Sequence, residues 1–254
     1  MTHLALRRVM IRLLHDPSFA TALRADPDRA LGGVDLTASE RTWLVDAAPA
    51  AWSTDPDRPA RVLAALVEEY PLTTRLAPDR AAGFFAAPEF HDAVQSRGSL
   101  ALALGAYLGR DASDPRVRAL GALERAIAEV RRARPSATVR NVTQLRLASR
   151  ARVVRLPAGT LDLAAALRGD ARGGELGTDE EAVLVLRTIP RDEVTLEALA
   201  PELAALLERA ASGALREELH TVARLQGAEA GEDEQIVDQL ISDGLLVGAD
   251  DSGR

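Results

Sequence analysis

The chain has 254 residues, 47% hydrophobic, 27% charged and 3% aromatic, with 31 basic and 38 acidic side chains and a formal net charge of −7. That length suits one large or two ordinary domains, because single cores rarely grow past roughly 250–300 residues. No stretch approaches the ~20 consecutive apolar residues of a membrane helix, and the lack of cysteine excludes disulfides, thiolate metal sites and a cysteine nucleophile. Every basic residue is Arg, so Schiff-base chemistry and a phosphate-binding lysine are excluded too. The opening Met1-Thr2-His3-Leu4 lacks the apolar core and cleavage site of a signal peptide, so a cytoplasmic location is expected.

The first part of the chain predicts helices. Leu4, Leu6, Val9, Met10, Leu13 and Leu14 recur at three- and four-residue spacing, which places them on one helical face. Asp16-Pro17 ends that helix and starts another, since Asp caps and Pro fits the first turn. The same device returns at Asp26-Pro27, Asp55-Pro56 and Asp114-Pro115. Thr37-Ala38-Ser39-Glu40 is a capping box for the helix that carries Trp43 and Leu44. Short helices follow at about 59–69, 79–86, 89–96 and 99–109, punctuated by Pro71, Pro78, Pro88 and Gly98. A longer one runs from Pro115 to about Arg134, with Val117, Leu120, Leu123, Ile127 and Val130 on its buried stripe.

The pattern changes after Pro135. Val139–Leu147 and Ala151–Leu156 predict strands, Leu161–Leu167 a short helix, and Gly169, Gly173, Gly174 and Gly177 a loop. Ala182–Leu186 is an unbroken apolar run suited to a buried strand, and Glu193–Leu196 alternates as its partner after a turn at Pro190-Arg191-Asp192. Helices at about Pro201–Ala211, Ala214–Gln226 and Glu232–Asp243 follow, with Gly244 closing the last and Leu245–Val247 adding an edge strand. The expected fold is therefore α+β and mostly α: a helical domain over 1–134, then a winged-helix-like domain over 135–254 built on a small three-stranded sheet.

Charge is uneven along the chain: −2 over residues 1–109, +8 over 110–155 and −13 over 156–254. A DNA reader needs a basic recognition helix, yet the helix in that position, Glu232–Ile241, holds four acids and no Arg. A winged-helix transcriptional regulator is thus the alternative reading, and no nucleic-acid partner is expected. No histidine pair has metal-ligand spacing, no Gly-x-Ser-x-Gly elbow occurs, and the glycines of 169–177 do not form a phosphate cradle. His3 and His15 are expected to face solvent, as are Glu232, Asp233 and Glu234. A stand-alone enzyme using unrecognised carboxylates is the third reading.

Four stretches occur in an order found in a known family. They are Leu14-His15-Asp16-Pro17-Ser18-Phe19 with Leu23, Asp26-Pro27 and Leu36-Thr37; Tyr70-Pro71-Leu72-Thr73 with Phe84, Phe85, Ser99-Leu100 and Tyr107-Leu108; Leu145–Leu156; and Ala182–Thr188, Val194–Leu196, Pro201–Gly213 and Asp243-Gly244-Leu245-Leu246. The chain resembles the partner subunits of multinuclear non-heme iron-dependent oxidases. These act in maturing ribosomally synthesised, post-translationally modified peptides (RiPPs), and include the methanobactin-type and bufferin-type partner proteins. The resemblance implies a helical domain joined to a RiPP recognition element, a winged-helix-like module beside whose third strand a precursor's leader adds, lying against the last helix. It also implies that this chain is not an enzyme and holds no cofactor, the iron belonging to the oxidase with which it forms a heterodimer.

The residues agree with that reading in two respects. A strand edge offers unpaired backbone groups to an extended peptide, and the expected leader contacts are Glu193, Val194, Thr195 and Leu196 with Gln235 and Gln239, one turn apart on the last helix. The basic run Arg131, Arg132, Arg134, Arg140, Arg146, Arg150 and Arg152 suits an acidic surface on the oxidase, with Arg131, Arg132, Arg134 and Arg146 as the expected interface. Trp43, Trp52, Tyr70 and Tyr107 are expected in the core or at a subunit interface.

Overall fold

A computed structural model describes residues 2–47, 55, 57–110, 112–134, 143–169, 175–188 and 190–248. The side chain of His3, and Trp52, Pro56, Arg140, Gly173, Gly174 and the expected strand residues 139–142, lie outside what it describes. The molecule is predominantly helical with small antiparallel sheets, and it separates into two compact units, Met1–Arg125 and Ala126–Arg254. The sequence-based division at 134/135 lies beyond this one, which falls inside a long helix.

The first unit comprises α1 (Thr2–His15), α2 (Pro17–Ala25), α3 (Pro27–Ala30), α4 (Ala38–Asp46), α5 (Arg58–Val67), α6 (Pro71–Leu76), α7 (Pro78–Ala82), a 3-10 turn (Gly83–Ala86), α8 (Pro88–Ser96), α9 (Leu100–Gly109) and the start of α10 (Pro115–Arg132). Its helix starts follow the local chemistry. Asp16 accepts from the Phe19 amide at 3.1 Å, Asp26 from Arg29 at 3.0 Å and Asp114 from Arg116 at 2.8 Å. In the Thr37 box, the Thr37 amide donates to Glu40 at 2.8 Å and the Glu40 amide donates back to Thr37 Oγ1 at 3.2 Å. Asp55 departs from the pattern: α5 starts two residues later with no side-chain cap, and the Asp55 carboxylate instead pairs with Arg61 at 2.6 Å and Arg58 at 3.6 Å.

Two further departures come from packing. Helix α6 is absent from the sequence-based reading, which takes Pro71 as a break. Its first amides, Leu72 and Thr73, donate to the buried carboxylate of Glu124 at 2.8 and 3.0 Å, so the cap arrives from another helix. His15, expected to face solvent, is half-buried with its ring 5.6 Å from Phe85 and 5.0 Å from Phe90. Tyr70 is fully buried and donates to the Ala101 carbonyl at 2.7 Å, Tyr107 is half-buried, and Trp43 is 50% exposed.

The second unit holds the end of α10, then β1 (Gln144–Leu147), β2 (Ala151–Pro157), α11 (Thr160–Arg168), β3 (Glu180–Arg187), β4 (Val194–Leu199), α12 (Pro201–Ala211), β5 (Ala214–Leu215), α13 (Arg216–Leu225), α14 (Glu232–Ser242) and β6 (Leu246–Gly248). Where one small sheet was expected, the described residues form two. Strands β2, β3 and β4 make an antiparallel meander, and β1 stands between β5 and β6 in a separate sheet. Ala214-Leu215, expected within a helix, is the strand β5, and the terminal strand pairs with β1, Leu145 opposite Gly248 and Leu147 opposite Leu246. Leu145, Leu147, Ala151, Leu184, Leu206, Leu207, Leu219, Val237, Leu240 and Leu246 share one apolar core. Gly244 takes a left-handed conformation (φ +67°), the Leu245 amide returns to the Leu240 carbonyl at 2.9 Å, and α14 closes as expected.

Candidate functional site: the edge of the meander

Strand β4 pairs with β3 from Ala182 opposite Leu199 to Arg187 opposite Val194, and its other side has no strand among the described residues. Register divides its side chains between two faces. Thr195, Glu197 and Leu199 lie with Leu184 and Leu186 on the face that α12 covers, where Arg155 of β2 reaches Glu208 of α12 at 2.6 Å. Val194, Leu196 and Ala198 lie with Val183 and Val185 on the opposite face, where Arg152 reaches Glu129 of α10 at 3.1 Å. Glu197 and Ala198 are exposed, and the other four residues of β4 are half-buried.

The hairpin before β4 is fixed by polar contacts. The Thr188 amide donates to the Glu193 carbonyl at 2.8 Å, and Asp192 (φ +58°) donates its amide to Thr188 O at 3.0 Å. Arg187 binds the Asp192 carboxylate at 2.5 Å and the carbonyls of Arg131 and Ala133 at 3.0 and 3.3 Å, tying the hairpin to the end of α10.

The structure therefore places Val194, Thr195 and Leu196 on the edge strand and Glu193 just before it, past the turn. Glu197, Ala198 and Leu199 extend the strand beyond the sequence-based limit. The signal was present in part, since the alternation continues through Thr195-Leu196-Glu197-Ala198 and only Pro201 ends the run. Gln235 and Gln239 are both exposed on α14, and Gln239 donates to Asp243 at 2.9 Å. Leu199 of β4 and Ile236 of α14 fringe the same core.

The acids at the start of α14 do not all face water. Asp233 is 1% exposed, accepts from Arg224 at 2.7 Å and from the Gly231 amide at 3.0 Å, and lies 4.0 Å from His220. The Arg224 guanidinium, above all, holds that carboxyl below the usual carboxylate range. Asp238 pairs with Arg216, while Glu232 and Glu234 are exposed as expected.

Arg131, Arg132 and Arg134 stand exposed together at the end of α10, whereas Arg146 is half-buried on β1, a different element. Arg150 is committed to the fold: its guanidinium donates to the Asp243 and Gly244 carbonyls at 2.9 and 3.2 Å, at the end of α14. Among the described residues, no group of three metal-ligating side chains converges and no helix is long and apolar enough to cross a membrane. The first unit carries a cavity of about 430 Å³ beside α1, lined in part by Arg8, Arg12 and Phe19. Both guanidiniums already hold carboxylates, Asp92 at 3.0 Å and Asp16 at 3.2 Å.

No family model matches the chain, and no curated protein matches it in sequence.

Proposed function

We propose that this chain is a non-catalytic recognition subunit that binds the leader of a ribosomally made precursor peptide and presents its core to a separate iron-dependent oxidase, with no cofactor of its own. The observation that carries the reading is the six-residue strand β4, an edge of a three-strand meander that leads into α12 and then, past the two-residue strand β5, into α13 and α14. Three strands followed by three helices is the order of a winged-helix-like recognition element, and a peptide that adds to an edge gains main-chain hydrogen bonds with side-chain selectivity. The leader runs beside β4, over Val194, Thr195 and Leu196, with Gln235 and Gln239 of α14 as polar contacts. The resemblance of the sequence to oxidase partner subunits is what suggests the class of peptide and of enzyme. The acids exposed on α14 disfavour the alternative, a regulator whose last helix lies against DNA phosphates.

Co-expression with an oxidase of that family, followed by size-exclusion chromatography and metal analysis, tests the reading. A heterodimer with iron only in the oxidase, and a leader that binds this chain alone, is the expected result. A homodimer that ignores the oxidase and shifts duplex DNA overturns it. The exposed Arg131, Arg132 and Arg134 are the docking cations, so Arg131→Glu with Arg132→Glu weakens the heterodimer and flattens its salt dependence; unchanged co-purification removes that assignment.

A further inference from the structure

We propose that β4 selects a cationic strand and that Glu197 sets the choice, an inference that rests on the edge-docking reading above. Glu197 stands opposite Leu184 on the α12 side of the sheet, between Thr195 and Leu199. It is exposed and has no ion-pair partner among the described residues. The other edge of the same sheet differs. On β2 the charges of Arg152 and Arg155 are neutralised within the unit, by Glu129 and Glu208. Glu193 just before β4 and Glu202 in the first turn after it are also exposed acids without an ion pair among the described residues. Along β4 itself the one charged side chain is Glu197, while the exposed cation nearest its first end, Arg191, stands in the hairpin turn two residues before Glu193.

A strand laid along β4 sends alternate side chains to its two faces. On one face they meet Thr195 and Glu197, and on the other Val194, Leu196 and Ala198. The complementary peptide alternates Arg or Lys with apolar residues, the cation standing opposite Glu197. Opposite charges directly across a strand pair attract and like charges repel. The same carboxylate disfavours the approach of a second copy of β4, which brings its own Glu197.

The test is binding of three labelled peptides to the full chain, read by fluorescence anisotropy, in which Val alternates with Arg, with Gln or with Glu. The Arg peptide binds tightest and the Glu peptide weakest, each step being about twofold to fivefold per cross-strand pair. Glu197→Arg inverts the order. Glu217→Arg, which reverses an exposed acid on α13 away from the sheet, keeps it. Equal binding of the three peptides, unaltered by Glu197→Arg, leaves edge docking standing and overturns selection by charge. Binding by none of them removes the edge reading and this inference together. A dimer on size exclusion that excludes all three shows a second copy on the edge and overturns the proposal.

Discussion

Glu124 is a residue whose role depends on distance along the chain. Its buried carboxylate takes two amide protons at the start of α6, about fifty residues away. Glu124→Ala leaves both donors buried without partners, at a cost of about 2–4 kcal/mol, whereas Glu124→Gln keeps one acceptor oxygen and loses less. Urea unfolding of the two variants separates them. Gly105 answers to sterics instead: a Cβ there overlaps the Tyr70 hydroxyl and sits 2.9 Å from its Cζ. Gly105→Ala therefore destabilises by about 1–3 kcal/mol through overpacking, and adding Tyr70→Phe, which removes the hydroxyl, recovers part of the loss. His15 and His91 are linked to pH. Burial, the largest cause, pulls both imidazoles below the ordinary value of 6.5. The unfolded chain then binds more protons than the folded one, so stability is fully present above pH 6.5 and declines as pH falls through and below it. Unfolding midpoints measured across this range show the slope, and His15→Phe with His91→Gln flattens it.

The elements were legible to the extent that their signals are local. Caps at Asp16, Asp26, Asp114 and Thr37 act over two or three residues, and each is found where the sequence places it. Helix α6 is not legible because its cap is tertiary, and Asp55 caps no helix because two arginines claim the carboxylate. The end of α14 combines both kinds of signal. Gly244 is a local stop, but its carbonyl and that of Asp243 are held by Arg150, more than ninety residues earlier. A Cβ at Gly244 lies 2.9 Å from Arg150 Nη2 in a left-handed backbone, so Gly244→Ala costs about 1–2 kcal/mol from the conformation alone. Hydrogen exchange locates that loss in α14 and β6.

At the scale of the whole molecule, charge and strand pairing bear on function. The −13 carried by residues 156–254 includes acids that the fold neutralises, Asp233 with Arg224 and Glu208 with Arg155, and acids it leaves exposed, Glu197 on β4 among them. Net charge alone does not separate these groups, since an Arg nine residues away in one case and fifty-three in the other decides which acid is spent. Binding of a cationic strand therefore weakens as salt rises from about 0.1 M towards 1 M, where screening shortens from ~10 Å to ~3 Å. Titrations of the Arg-Val peptide at both salt concentrations check this, and a salt-independent affinity contradicts it.

The sequence by itself determined the helical first part, the change of pattern after residue 135, the caps, and an alternating strand ahead of three helices. All of these are set by steric and hydrogen-bond preferences within a few residues. Tertiary structure decided that the strands divide into two sheets, because pairing Leu145 with Gly248 or Val185 with Leu196 is a matter of register between distant segments. It also decided that Asp233 is removed from water and His15 half-buried while Glu197 stays exposed, because burial depends on what packs against a residue, whatever its own polarity.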